Sequence, residues 1–388
     1  MDFIPYGRQH ITNEDIQNVV RVLKSDFITQ GPEVKAFEEA IAKKVGAKYS
    51  LAVNSATSAL HIAIKAMGVG SGDYVWTSPI TFVASSNCAL YEGAKVDFVD
   101  IDPVTYNFSY DAFCRKLEEA KKEGKVPKVI IPVHFSGQSC EMEKISALCR
   151  EYGVKIIEDA SHAIGAKYKD SYVGNCKYSD VTVFSFHPVK IVTTGEGGVA
   201  LTNSPDIFTK MELYRSHGVT RDLNLINNKN EGAWYYEQVG LGYNYRITDI
   251  QAALGLSQLN RLDEYILKRH EISLRYKELL EGFPLILPSE IEDSYSAYHL
   301  YVVQIDKSRS SVRRREVFDF MRSKNIGVNV HYIPVHTQPY YQSIGFEKGM
   351  FPISENFYDS ALSLPMFPTL TEDEQIYVCE TLKEALND

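Results

Sequence analysis

Three places along the chain hold residues whose types and spacing could do chemistry together. The stretch FSFHPVKIVTTGEGG, residues 184–198, sets Lys190 between an apolar run and a cluster of Thr and Gly. A lysine there could be a surface charge, a phosphate ligand or a covalent anchor. Pro188 keeps a regular helix interior from forming around it, and the Thr and Gly allow tight turns and close backbone approach. Flanked by Phe186, Val189 and Ile191, the amine loses part of its hydration. Desolvation lowers a lysine's pKa and makes its amine a nucleophile for Schiff-base chemistry. Taken alone, a surface lysine remains the simpler reading.

The second place is KIIEDASHA, where Asp159 closes an apolar strand. Open α/β sheets bind ligands at that end of their strands. A carboxylate there needs a cation or donors, because burying it unpaired is costly. A protonated ring nitrogen would serve, and the pair would raise that nitrogen's pKa, as a close opposite charge shifts a carboxylate by ~1–3 units. The plainer alternative is an Asp capping the next turn. The third place is VNSATSALHIAI, residues 53–64, where a strand ends at Val53 and a helix begins near Thr57. Backbone N–H groups and hydroxyls at a helix start form an anion site. A plain helix cap uses the same residues. Ser185, ending the strand TVFSF, could add a hydrogen bond to a phosphate.

Short apolar runs alternate with amphipathic segments to position these residues. YSLAV (49–53), DYVWTS (73–78), KVDFVD (95–100), KVIIPVHF (128–135) and VKIIED (154–159) read as buried strands. TSALHIAIKAMG, FVASSNCALYEG and EMEKISALCREYG between them read as helices closing on Gly. Such alternation predicts an α/β domain whose largely parallel sheet is covered on both faces. A helix over 206–216 leads into a polar loop, 219–240, long enough to be functional or to meet a partner. One long helical stretch is expected over 247–282, then a strand YHLYVVQI, a helix over 312–325, a strand GVNVHY and a helix over 371–386. The division expected is a large α/β domain, 1–255, and a smaller C-terminal α/β domain, 256–388.

Bulk properties narrow the function. At 388 residues the chain exceeds one minimal core, and its 44% hydrophobic and 23% charged residues are those of an ordinary globular protein. A net charge of −9 argues against a nucleic-acid or anionic-membrane surface, yet leaves room for a local phosphate site. The N-terminus lacks the basic and apolar regions of a signal peptide, and no run approaches ~18 apolar residues, so no membrane span is expected. Six scattered cysteines without a C-x-x-C pair fit reduced thiols in the cytoplasm. His331 and His336 have Pro334 between them and no accompanying carboxylate, so no metal site is expected.

ITQGPEVKAFE, NSATSAL, PITFVASSNCALYEGA, IIEDASHAIGA, FSFHPVKIVTTGEGG, RSHG, GYNYRITDIQAALGLSQL and VHYIPVH, in this order, resemble the signatures of the DegT/StrS family of sugar aminotransferases. The resemblance runs from about residue 5 to 370 and implies a pyridoxal-phosphate (PLP) enzyme of the aspartate-aminotransferase-like fold, fold type I. By it, Lys190 matches the lysine that bonds PLP and shuttles protons, and Asp159 the partner of the pyridine nitrogen. Phe82 matches the aromatic stacked on the ring. Ala56, Thr57 and Ser185 match phosphate ligands, and His162 lies near the 3-hydroxyl. Asn244 matches an asparagine reaching the phosphate of a neighbouring subunit, which implies a homodimer with shared sites. His331 and Tyr332 match substrate contacts. Arg246 and Arg215 are left between the substrate's diphosphate and interface salt bridges. Two departures stand out: many members carry Gln at the position of His162, and NGT where this chain has NSAT. A minority replace the lysine by His and become dehydratases; Lys190 is present here. The implied reaction moves the amine of L-glutamate to C4 of a UDP-linked 4-keto-6-deoxy-N-acetylhexosamine. Other 4-keto nucleotide sugars, or a non-catalytic binding role, are the alternatives.

Overall fold

In the computed structural model, which describes residues 2–387, the apolar runs assemble into one seven-stranded sheet. Its strands are β1 (Tyr49–Val53), β2 (Tyr74–Thr77), β3 (Lys95–Phe98), β4 (Val129–Ile131), β5 (Lys155–Asp159), β6 (Val181–Ser185) and β7 (Gly198–Thr202). They lie side by side in the order β1-β7-β6-β5-β4-β2-β3. Six point the same way. β7 alone is antiparallel, to both β1 and β6. The expected parallel sheet is therefore present, with one reversed strand for which the sequence gives no expectation.

Apart from the edge strand β3, the strands are buried on both faces, which is why they read as apolar runs rather than alternations. On one face Leu51, Val53, Val75, Val129 and Val181 pack with Leu60, Ile62 and Ile64 of α3 (Ala56–Ala66). On the other, Ala52, Phe184 and Val199 pack with Phe37 and Ile41 of α2 (Pro32–Val45). Helix ends follow local chemistry. α2 starts on Pro32, whose missing N–H costs nothing in a first turn, and stops at Gly46 in the left-handed region, φ 84°. α3 starts at Ser55, whose side chain accepts from the Ser58 N–H.

A second unit carries a three-stranded antiparallel sheet: β8 (Leu285–Ile286), β9 (Tyr301–Ile305) and β10 (Ala361–Leu364), in the order β8-β9-β10. Its core joins Tyr276, Val303, Val317, Met321, Leu362, Val378 and Leu382 with Ile4 from the N-terminus. Asp100, just past β3, accepts from the N–H groups of Ile353 and Ser354 at 3.0 Å and so caps the helix Pro352–Ser360 from the large sheet's edge. That cap ties the two units together.

Two expectations need correction. The stretch 247–282 is two helices, α8 (Asp249–Leu259) and α9 (Leu262–Leu279), not one. The break lies at Arg261, whose Nη2 donates to both oxygens of the buried Asp15 at 2.7 Å. A tertiary ion pair overrides a locally continuous helical pattern. GVNVHY forms no regular strand either. After a single bridge from Asn329 to Ser363 the backbone leaves the sheet and carries His331 and Tyr332 into the cleft.

Candidate active site

Register brings the sequence-predicted residues to one edge. β1, β5 and β6 all end there, at Val53, Asp159 and Ser185. Gly198 opens β7 directly opposite both Val53 and Ser185. The start of α3 therefore stands beside Ser185, and Asp159 lies one strand further on. In the first turn of α3 the N–H groups of Ala56 and Thr57 have no acceptor among the described residues. Two free donors at a helix start fit a phosphate. Gly198 makes this approach possible: a Cβ there would stand 2.5 Å from the Ala56 nitrogen. Gly198→Ala is expected to weaken cofactor binding about tenfold or more, from ~1–3 kcal/mol of forced displacement. Equilibrium dialysis with PLP measures this, and an unchanged dissociation constant would refute it.

Asp159 is buried yet fully served. Ser85 Oγ donates to its Oδ2 at 2.6 Å, and Ser161 donates to Oδ1 through its N–H (3.1 Å) and hydroxyl (2.6 Å). Oδ1 already accepts twice, but Oδ2 keeps a second lone pair, so an N–H of a ligand ring can still be accepted there. Ser85 sits in α4 (Ala84–Tyr91), and its backbone N–H donates to the Phe82 carbonyl at 3.2 Å, which sets Phe82 beside Asp159. The Phe82 ring is 61% exposed, as a ring awaiting a stacked partner would be. Sequence reading missed Ser85; its serine looked like one more small residue on a buried helix.

Lys190 follows β6 in a turn closed by its N–H donating to the His187 carbonyl at 2.8 Å. It keeps some accessible surface, as a residue lining a cleft must, but burial pulls its pKa down to about 8 while the Asp159 carboxylate pushes it up. Against an ordinary lysine at ~10.4, a group titrating near 8 offers roughly a hundredfold more neutral amine at pH 8. The rate of covalent capture of PLP by the cofactor-free protein is thus expected to climb through pH 8 and level off by about pH 9. Absorbance reads it. A continued tenfold rise per unit to pH 10 would mean an ordinary lysine.

His162 is buried beneath this amine. Its Nδ1 accepts from the Ser136 N–H at 3.3 Å, so the ring proton belongs on Nε2, which meets the Tyr332 hydroxyl at 3.0 Å. Burial first, then the charge of Lys190, depresses its pKa, so it stays a neutral donor. His331 is equally neutral, pushed down to about 3 by burial and by Lys190, and its Nδ1 pairs with Ser363 Oγ at 2.8 Å. His162 and His331 thus both feel the charge of Lys190, and Tyr332 meets both imidazole rings. His336 lies apart and is paired with Glu355 at 2.9 Å; among the described residues no cluster could hold a metal.

Asn244 and Arg246 belong to a different wall. Tyr243 and Tyr245 stack at 4.9 Å and are pinned to α3, Tyr245 through His61 Nδ1 (3.0 Å) and Tyr243 through Glu92 (3.0 Å). The clamp leaves the Asn244 side chain exposed, while Asn54 Nδ2 approaches its carbonyl at 3.5 Å. The Arg246 guanidinium has no acceptor among the described residues, whereas Arg215 is paired to Glu38 at 2.6 Å.

A sheet edge with a phosphate-sized helix start, a served carboxylate, an open aromatic ring and a softened lysine defines a fold type I PLP enzyme. The chain belongs to the DegT/DnrJ/EryC1/StrS aminotransferase family, which residues 9–383 match. It is 40% identical to the spore coat polysaccharide biosynthesis protein SpsC of Bacillus subtilis, over 98% of this chain and 97% of that one. It is 37% identical to the UDP-4-amino-4,6-dideoxy-N-acetyl-beta-L-altrosamine transaminase of Campylobacter jejuni, over 98% and 96% of the two chains. The PLP form of the putative sugar aminotransferase Spr1654 from Streptococcus pneumoniae superposes with a TM-score of 0.89 at 28% identity, covering 99% of both chains. The protein is a PLP-dependent sugar aminotransferase.

Proposed function

We propose that the protein moves the amino group of L-glutamate to C4 of a UDP-linked 4-keto-6-deoxy-N-acetylhexosamine, a step of pseudaminic acid synthesis, in the cytoplasm. The observation that supports this substrate is near-full-length likeness to the Campylobacter jejuni transaminase. PLP supplies a conjugated electron sink between donor and ketone. The chain supplies the rest. Ala56, Thr57 and Ser185 hold the phosphate, Asp159 keeps the ring nitrogen protonated, and Phe82 covers the ring face. His162 would turn its Nε2–H from the Tyr332 hydroxyl to the 3-oxygen. Lys190 Nζ, titrating near neutrality, takes and returns the proton at the reacting carbon. His331, Tyr332 and Arg246 are assigned to the nucleotide sugar, and residues 1–255 to the cofactor-carrying domain, with 256–388 the smaller one.

The reading includes a homodimer in which Asn244 reaches the neighbouring subunit's phosphate. Supporting it, the segment just before Asn244 exposes Leu223, Trp234 and Leu241, an apolar surface of the kind that meets a partner. A different 4-keto nucleotide sugar, dTDP- or GDP-linked, is the second reading, kept because the chain is also 40% identical to SpsC, a spore coat polysaccharide biosynthesis protein. Incubation with L-glutamate and a panel of UDP-, dTDP- and GDP-linked 4-keto sugars, followed by mass spectrometry, tests both. The UDP-linked N-acetyl sugar should be aminated at least tenfold faster than the rest. Preference for a dTDP- or GDP-linked sugar would replace the first reading by the second.

A further inference from the structure

Two buried groups behind His162, His299 and Arg269, take no part in holding the cofactor. His299 is buried, its side chain bonds to no described residue, and its Nδ1 is sealed from solvent. Arg269, in α9, is 1% exposed and has no carboxylate partner among the described residues. The comparison within the chain is informative: Arg215 is paired to Glu38 and Arg261 to Asp15. Arg269 instead donates through Nη1 to the carbonyls of Tyr298 (3.0 Å), His299 (3.2 Å) and Met366 (3.1 Å), leaving Nε buried and unpaired. Burial lowers its pKa only to about 9, so the charge persists at neutral pH. An uncompensated buried cation and an unpartnered buried imidazole are both destabilising on their own. Here they touch.

Their location is built into the fold. The His299 ring lies 4.4 Å from that of His162, and the charge of Lys190 reaches both. Gly137 packs so closely that a Cβ would stand 3.0 Å from the carbonyl of His162 and 3.1 Å from the nitrogen of His299. Ser136 Oγ donates to the Leu300 carbonyl at 2.6 Å, completing the staple. Burial, with the charges of Lys190 and Arg269, holds the ring neutral, so one of its nitrogens carries a hydrogen. Nδ1 is sealed from solvent, so Nε2 is the nitrogen through which the ring can meet a ligand.

An amino donor must bring its α-carboxylate within two bonds of the amine that reacts at Lys190, and Lys190 itself has to stay free. We propose that His299, backed by the charge of Arg269, receives the α-carboxylate of the amino donor: Nε2–H donates to one oxygen and the guanidinium supplies the field behind it. This rests on the aminotransferase reading with an amino-acid donor. It gives this pair a counter-charge that the chain itself does not supply.

His299→Phe keeps the ring volume and removes the unpaired nitrogen; Arg269→Met removes the cation. With the PLP-loaded protein, the L-glutamate concentration that half-bleaches the cofactor's visible-edge absorbance should rise at least tenfold in each variant. Glutarate, a dicarboxylate without an amine, should bind the cofactor-free protein at least fivefold more weakly by calorimetry. The complementary half-reaction, pyridoxamine-phosphate-loaded protein with the keto sugar, should stay within threefold of the parent. A glutamate half-saturation within threefold of the parent in His299→Phe overturns the proposal, as does equal loss in both half-reactions. Should Arg269→Met fail to fold, His299→Phe decides alone. A parent protein that L-glutamate does not bleach would count against the proposed donor instead, and the glutarate titration still judges the carboxylate site.

Discussion

Lys190→Ala is expected to lower turnover by at least about a thousandfold with the fold intact. Two functions leave with one side chain: the covalent hold on PLP and the carrier of the proton, the latter alone accounting for ~10²–10⁴ in rate. Nothing structural depends on the amine, because its side chain bonds to no described residue and its desolvation is a cost. The melting temperature should therefore hold or rise slightly. Lys190→Arg sharpens the test. It restores a cation of similar length, but a guanidinium stays protonated above pH 12 and offers neither nucleophile nor base. Both variants should be equally inactive, and neither should develop the visible-edge absorbance with PLP. Stopped assays of amino-sugar formation measure the loss. More than a tenth of parent turnover in Lys190→Ala would mean that another group carries the proton.

What the sequence made legible was local. Buried strands advertise themselves as apolar runs; Asp159 ends one and Lys190 follows another after a short turn, so both could be placed at a sheet edge without knowing the topology. The lone reversed strand could not. Residues 198–202 follow a Gly-rich turn, and nothing local says that they will slip between β1 and β6. Yet that insertion sets Gly198 against the start of α3 and so makes the phosphate site. The break at Arg261 was hidden for the same reason: its cause, Asp15, lies more than two hundred residues away.

The site's supporting residues were hidden more thoroughly than its reacting ones. Ser85 reads as a small residue on a packed helix until its hydroxyl is seen on Asp159. His299 falls inside YHLYVVQI, where alternation suggests an ordinary strand position; the strand begins only at Tyr301, and His299 precedes it, behind His162. Arg269 lies in an amphipathic helix whose charged residues would all be taken as solvated. Patterns of polarity reveal which face a residue prefers, but not that a charge has been taken inside without a partner. That fact exists only once three carbonyls from two distant segments are found around one guanidinium.

Asp159→Asn should separate charge from shape. The amide is isosteric, and the hydroxyls of Ser85 and Ser161 can rotate to accept from it, so the fold should persist. Two consequences then run in opposite directions. The ring nitrogen loses the anion that keeps its proton, which at ~1–3 pKa units is worth about a hundredfold or more in turnover. Lys190 loses the carboxylate that raises its pKa, so its titration moves below about 8. In the variant the pH profile of PLP capture should shift to the acid side, giving a more reactive lysine at neutral pH, while amino-sugar formation becomes slower. Ser85→Ala removes a single hydrogen bond to the same carboxylate, about 1 kcal/mol, and should cost less than tenfold. A simple loss of folding would depress capture and turnover together. Only a carboxylate acting through its charge on both the lysine and the ring nitrogen drives them apart, and turnover within fivefold of the parent in Asp159→Asn would leave that charge without a role.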